Sequence, residues 1–137
     1  MHSYNHGLVT SSKGMAIEFV KVTGLNITPA ADAECTVDDG KAGLVTSVIH
    51  SATGVYNFTL SKPYPPALLL CIPAISNADG TTDLRFPAYD SATYSASAGT
   101  FTINLMNDDD SGAPVLAAGG ATDELHVLLV FKRYTTL

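Results

Sequence analysis

The chain has 137 residues, the length of one domain, and 46% of them are apolar, which excludes wholesale disorder. Charged residues make up only 15%, against about 25% in an average domain, and the net charge is −6. With no basic cluster beyond the pair Lys132–Arg133, a nucleic-acid backbone is disfavoured as a partner. The longest apolar run, Ala67 to Ile72, is too short for a transmembrane helix, so no membrane partner is expected.

The opening residues, Met1-His2-Ser3-Tyr4-Asn5-His6, show no basic stretch followed by an apolar one, and no signal peptide is expected. Residues 1–14 are polar, with Gly7, Ser11, Ser12 and Gly14. They read as an N-terminal arm, flexible or ordered on a partner, ahead of one domain over 15–137. From Met15 the pattern has period two. Ile17, Phe19 and Lys21 alternate with Glu18, Val20 and Val22, and Gly24 ends the strand. A looser stretch through Pro29 leads to a short strand at 34–37, closed by Asp38-Asp39-Gly40.

Leu44–His50 is rich in Val, Ile and Thr and reads as a strand. The turn Ser51-Ala52-Thr53-Gly54 joins it to Val55–Leu60, where Tyr56, Phe58 and Leu60 share one face. The two form a hairpin. After Pro63, Pro65 and Pro66, the run 67–72 reads as a buried central strand, with Pro73 at its end, at an edge or at a bulge. A short strand interrupted by Pro87 is expected at 83–88. The Ser/Ala-rich stretch 90–99 suits a long turn or a weak strand.

Phe101, Ile103 and Leu105 mark the next strand, and Asn107–Gly112 a polar turn. Pro114 and Gly119-Gly120 keep the following stretch irregular. In the last strand Leu125, Val127, Leu129 and Phe131 form one face, and His126, Leu128, Val130 and Lys132 the other.

No segment carries a sustained helical period with caps. About eight short strands separated by Gly/Pro/Asp turns indicate an all-β antiparallel β-sandwich, jelly-roll-like in its rhythm. A half-exposed strand of a monomer is polar outside, whereas Leu128 and Val130 are apolar. With the low charge, this predicts an outer face covered by another subunit, in a homodimer or homotrimer. The candidate interface residues are His126, Leu128, Val130 and Lys132, with Tyr4 and His6 from the arm.

Chemistry is harder to find. Asp108-Asp109-Asp110 lacks the alternating acids and distal Glu of a calcium loop and reads as a solvated hairpin tip, as do Asp38-Asp39 and Asp123-Glu124. His2, His6, His50 and His126 show no metal-ligand spacing. Cys35 and Cys71 make neither a CxxC site nor a disulfide framework and read as reduced thiols. No GxSxG or phosphate-loop frame exists. Tyr56, Tyr64, Tyr89 and Tyr94 could stack on sugars but more often fill a core or an edge. The residues therefore assign no catalytic, cofactor-binding or metal site, and a non-enzymatic protein is expected.

Three stretches carry a resemblance. They are Thr53-Gly54-Val55-Tyr56-Asn57-Phe58-Thr59-Leu60 with the Lys62-Pro63-Tyr64-Pro65 break, the strand and turn at 101–112, and the ending Asp123-Glu124-Leu125-His126-Val127-Leu128-Leu129-Val130-Phe131-Lys132. Together they resemble the small β-sandwich accessory proteins of tailed-bacteriophage virions, over about residues 43–133. The resemblance implies a capsid decoration, or cement, protein. Such a protein is assembled in the host cytoplasm, binds the major capsid protein at the capsid surface, and has no active site. The alternative is a phage tail or fibre module that binds a receptor or carbohydrate. The tract 54–58 is also similar to a strand of the complement and tumour-necrosis-factor jelly rolls, which are usually secreted trimers, but the rest of that pattern is absent.

Overall fold

The computed structural model describes residues 15–38, 43–61, 67–76, 85–108 and 114–132. Nine strands lie among them: β1 Met15–Thr23, β2 Thr36–Asp38, β3 Val45–Ala52, β4 Val55–Leu60, β5 Ala67–Ser76, β6 Arg85–Ser95, β7 Thr100–Asp108, β8 Pro114–Leu116 and β9 Glu124–Lys132. They form two antiparallel sheets. One, here sheet A, has the order β2-β1-β9-β5. The other, sheet B, has the order β3-β4-β7-β6, with β8 added on β7. The two pack face to face, so the expected β-sandwich is the fold.

Period two decides what fills the space between the sheets. Val20 and Val22 of β1 and Leu125, Val127, Leu129 and Phe131 of β9 point inward from sheet A. Tyr56, Phe58 and Leu60 of β4 and Phe101, Ile103 and Leu105 of β7 meet them from sheet B. Phe58 and Phe101 are cross-strand partners and stack with centroids 4.9 Å apart. Fully burying side chains of this size contributes roughly 1.5–3 kcal/mol each, so this double layer is the main source of stability.

Besides β8, Pro114–Leu116, a short strand paired with β7 where an irregular stretch was expected, three elements differ from the sequence reading. The apolar run at 67–72 is not a central strand: among the described residues β5 lies at the end of sheet A, paired with β9. It continues through Pro73 to Ser76, after a register shift between Leu68 and Leu70. An end strand accommodates a residue with no N–H to donate. The second difference is β6, one strand of eleven residues from Arg85 to Ser95 where a short strand and a turn were expected. It is also an end strand, which accommodates Pro87, and pairing with β7 holds its Ser/Ala-rich half extended. Here tertiary pairing overrides a weak local propensity. Third, the β3–β4 hairpin is tighter than four residues: Ala52 pairs with Val55, leaving only Thr53 and Gly54 between.

That hairpin anchors several connections. The His50 and Tyr56 rings are both buried and stack at 4.5 Å and 9°. His50 Nδ1 lies 2.6 Å from the Ile27 carbonyl, while the Gly54 N–H donates to Nε2 at 3.3 Å. These partners assign the proton to Nδ1. The Tyr56 hydroxyl donates to the Leu25 carbonyl at 2.6 Å and accepts the Gly119 N–H at 3.0 Å. Gly54 has φ +69°, and a Cβ there would stand 2.5 Å from the Leu105 oxygen and 2.7 Å from the Ala117 nitrogen.

Two substitutions measure these constraints. Gly54→Ala forces a side chain into backbone atoms at a left-handed φ. It should destabilise the domain by about 3 kcal/mol or more, seen as a lower urea midpoint. Tyr56→Phe keeps the ring but leaves the Leu25 carbonyl and the Gly119 N–H unpaired. It should lower stability by about 1–3 kcal/mol with an unchanged denaturant slope.

Candidate functional site

The outer faces of the two sheets differ in kind. Sheet B obeys the rule for a solvated sheet. Ser51, Asn57 and Thr102 form a hydrogen-bonded row across β3, β4 and β7, with Asn57 Nδ2 donating to Ser51 Oγ at 2.9 Å and Thr102 Oγ1 donating to Asn57 Oδ1 at 2.9 Å. Among its described residues it also carries an apolar row, Phe86–Met106–Leu116, at one end, and the half-buried Ile49 and Val55 on the same face.

Sheet A breaks the rule. The β1–β9–β5 register lines up Ile17, Val130 and Leu70 in one row and Phe19, Leu128 and Ile72 in the next. All six occupy the side of the sheet opposite to the core. Phe19 is 69% exposed, Ile72 48% and Leu70 47%. Leu128, Val130 and Ile17 are half-buried between their neighbours. Six apolar side chains in two adjacent rows form a contiguous patch of the kind that marks an interaction surface.

Polar groups close the patch at both ends. Beyond the Phe19 row lies Lys21–His126–Ala74, with Asp38 opposite Lys21 on β2. His126 Nε2 is 3.2 Å from Glu124 Oε2, an ion pair when the ring is protonated. Beyond the Ile17 row, Lys132 stands exposed between Met15 and Ala67. A shallow groove runs across the patch, lined by Phe19, Lys21, Asp38, Ile72, His126 and Leu128.

Four of the expected interface residues, His126, Leu128, Val130 and Lys132, therefore lie together on this face. Tyr4 and His6 lie outside the described residues, as does the expected arm at 1–14. Ile17, Phe19, Leu70 and Ile72 were not singled out from the sequence. The alternation in β1 separated Ile17 and Phe19 from Val20 and Val22, but period two alone does not say which set faces inward.

Residues with chemical potential are held in structural roles. Asp123 was expected on a solvated tip, yet it is 1% exposed. Its Oδ2 accepts the Gly120 N–H at 2.7 Å and lies 3.3 Å from Arg85 Nη1. Arg85 and Asn107 face each other across β6 and β7. Tyr89 sits edge-on to Phe101 at 5.8 Å, and the Tyr94 hydroxyl accepts the Leu68 N–H at 3.1 Å. Tyr64 and the acidic positions 39, 109 and 110 lie outside the described residues. Among the described residues no three His, Cys, Asp or Glu side chains gather as a metal site.

No protein-family model matches the chain, and no curated protein or solved structure matches it.

Cys35 and Cys71 are both buried thiols. Burial raises Cys35 to about 11 and Cys71 to about 12; Tyr56 is also raised by burial to about 12. Thiolates are the reactive form, so both cysteines should resist thiol reagents at neutral pH until the domain unfolds. The sign of the pH dependence follows. Above the ordinary thiol pKa the unfolded chain binds fewer protons than the native one, so stability falls as pH rises. The loss should begin near pH 9 and continue through about 11 and 12. Denaturation midpoints across this range check it, and Cys35→Ala should flatten the first part of the decline.

Proposed function

We propose that this chain is a non-enzymatic virion structural protein, a decoration or cement subunit on the capsid of a tailed phage. The observation that carries the reading is the apolar outer face of sheet A, set against the hydrogen-bonded polar row Ser51–Asn57–Thr102 on the outer face of sheet B. A domain built this way functions with that face covered, as a unit in an assembly. The low charge content, 15%, supports the same reading, as does the resemblance of residues 43–133 to virion accessory sandwiches.

The work asked of such a subunit is cohesion. Each copy adds a modest contact free energy to the expanded shell, and many copies acting together shift the shell strongly toward its assembled state. The partner is the major capsid protein, and the location is the capsid surface. The tail or fibre reading depends on tyrosines offered to a sugar. Tyr56 is buried, Tyr89 packs on Phe101 and Tyr94 bonds the β5 backbone, which weighs against that use.

The test is the copy number of this chain in purified particles, measured against the major shell protein by quantitative mass spectrometry. The expected result is one copy per shell subunit or a simple fraction of that. A handful of copies per particle would favour the tail, and complete absence would overturn the virion reading.

A further inference from the structure

We propose that His50 is an acid-sensitive latch: a proton added to its ring releases the segment 27–35 from the rim of β3. The argument begins with that rim. Among the described residues β3 is an end strand of sheet B, and its outer backbone groups are met by the β1–β2 connection. The Ala30 N–H donates to the His50 carbonyl at 3.0 Å, the His50 N–H to the Ala33 carbonyl at 2.9 Å, and the Cys35 N–H to the Val48 carbonyl at 2.8 Å. Glu34 bridges to Ile49 in the same stretch. A bare strand rim is a template for further pairing, so these bonds decide whether this one is closed.

The ring of the same residue makes the next connection. Its Nδ1–H donates to the Ile27 carbonyl at 2.6 Å, within the covering segment, and its Nε2 accepts the Gly54 N–H at 3.3 Å. This pair of bonds uses the neutral ring. In the imidazolium both nitrogens are donors. The Nδ1 bond survives, but the new Nε2–H points at the Gly54 N–H, donor against donor, where water has no access. Gly54 is held in place by the Leu105 N–H, which donates to its carbonyl at 2.7 Å.

The surroundings offer the added charge little. Tyr56 stacks on the ring and Cys35 is hydrogen-bonded to the His50 backbone; burial raises them to about 12 and about 11, so both stay neutral. Arg85 and Asp123 act on Tyr56 from beyond it and pair with each other. Asp32 and Glu34 lie on the covering segment with their side chains exposed, where solvent screens them. A buried charge without a partner is costly. Opening the cover brings the ring into water, where it takes up a proton freely. The open form therefore binds the proton in preference to the closed one, and closure weakens as pH falls below about 6.5, where histidine in water becomes charged.

Hydrogen exchange of the full chain between pH 7 and pH 5, corrected for intrinsic rates, tests this. Protection of the Ala30, Cys35 and His50 amides should fall by about tenfold or more relative to those of β9. The ring nitrogens, followed by nuclear magnetic resonance, should keep the neutral Nδ1–H pattern for as long as the cover is closed, with the exposed His126 as the reference ring. His50→Gln, which cannot become charged, should remove the pH dependence of that protection. If this variant fails to fold, the ring and amide signals of the wild type decide the matter together. Protection that is constant from pH 7 to pH 5, a charged His50 ring beneath fully protected Ala30 and Cys35 amides, or an equal loss in His50→Gln would each overturn the latch.

Discussion

One hydroxyl group ties the connections of the two sheets together. Tyr56, on sheet B, donates to Leu25 in the β1–β2 connection and accepts from Gly119 in the crossing from β8 to β9. Both lone pair and proton are used at a point where water has no access, so each lost bond would leave a buried backbone group unpaired. The stacked His50 ring extends the same anchor to Ile27 and Gly54. A connection of sheet A and the crossover into its central strand are thus registered against sheet B. Asp123 fixes the next point, through Gly120 and Arg85, one residue before β9 begins. From there alternation does the rest: Leu125 goes in and His126 goes out, and a slip of one residue would invert both faces of the sheet.

The outer face of sheet A is therefore a consequence of the interior. β9 is hydrophobic on both sides and lies between β1 and β5. Inward it contributes Leu125, Val127, Leu129 and Phe131 to the core, and outward it supplies the spine that joins Phe19 to Ile72 and Ile17 to Leu70. Any partner on that face packs directly on the strand that carries the core. Covering the face and stabilising the domain are coupled, because whatever binds only the folded form raises its stability.

Much of this was legible in residue order. Strands β1, β4, β7 and β9 announce themselves by period two, and Leu128 and Val130 betray the unusual face because they alternate with residues that must be core. The rest was hidden for physical reasons. In β5 the run from Ala67 to Ile72 is wholly apolar, so alternation is erased and an end strand reads like a central one. In β6 Ser, Ala and Pro carry little strand propensity, and only the neighbour β7 keeps the chain extended. Asp123 looked like a surface acid because no local pattern reveals a distant Arg85. Phe19 alternated correctly but gave no sign of which way it pointed.

The two strands that end the sheets on one side, β5 and β6, each contain a proline, Pro73 and Pro87. On β5 the register shift at 68–70 and the bond from the Leu68 N–H to Tyr94 further disturb the open rim. Across the sandwich, β2 is only three residues long, and Glu34 bridges to Ile49 beside β3. A strand rim left regular is a template for endless hydrogen-bonded growth. Among the described residues these features oppose growth in that direction, and the six-residue apolar patch of sheet A lies on a face rather than along a rim. An apolar surface placed on a face, away from the strand rims, is less open to hydrogen-bonded growth into fibres than the same surface on an edge strand would be.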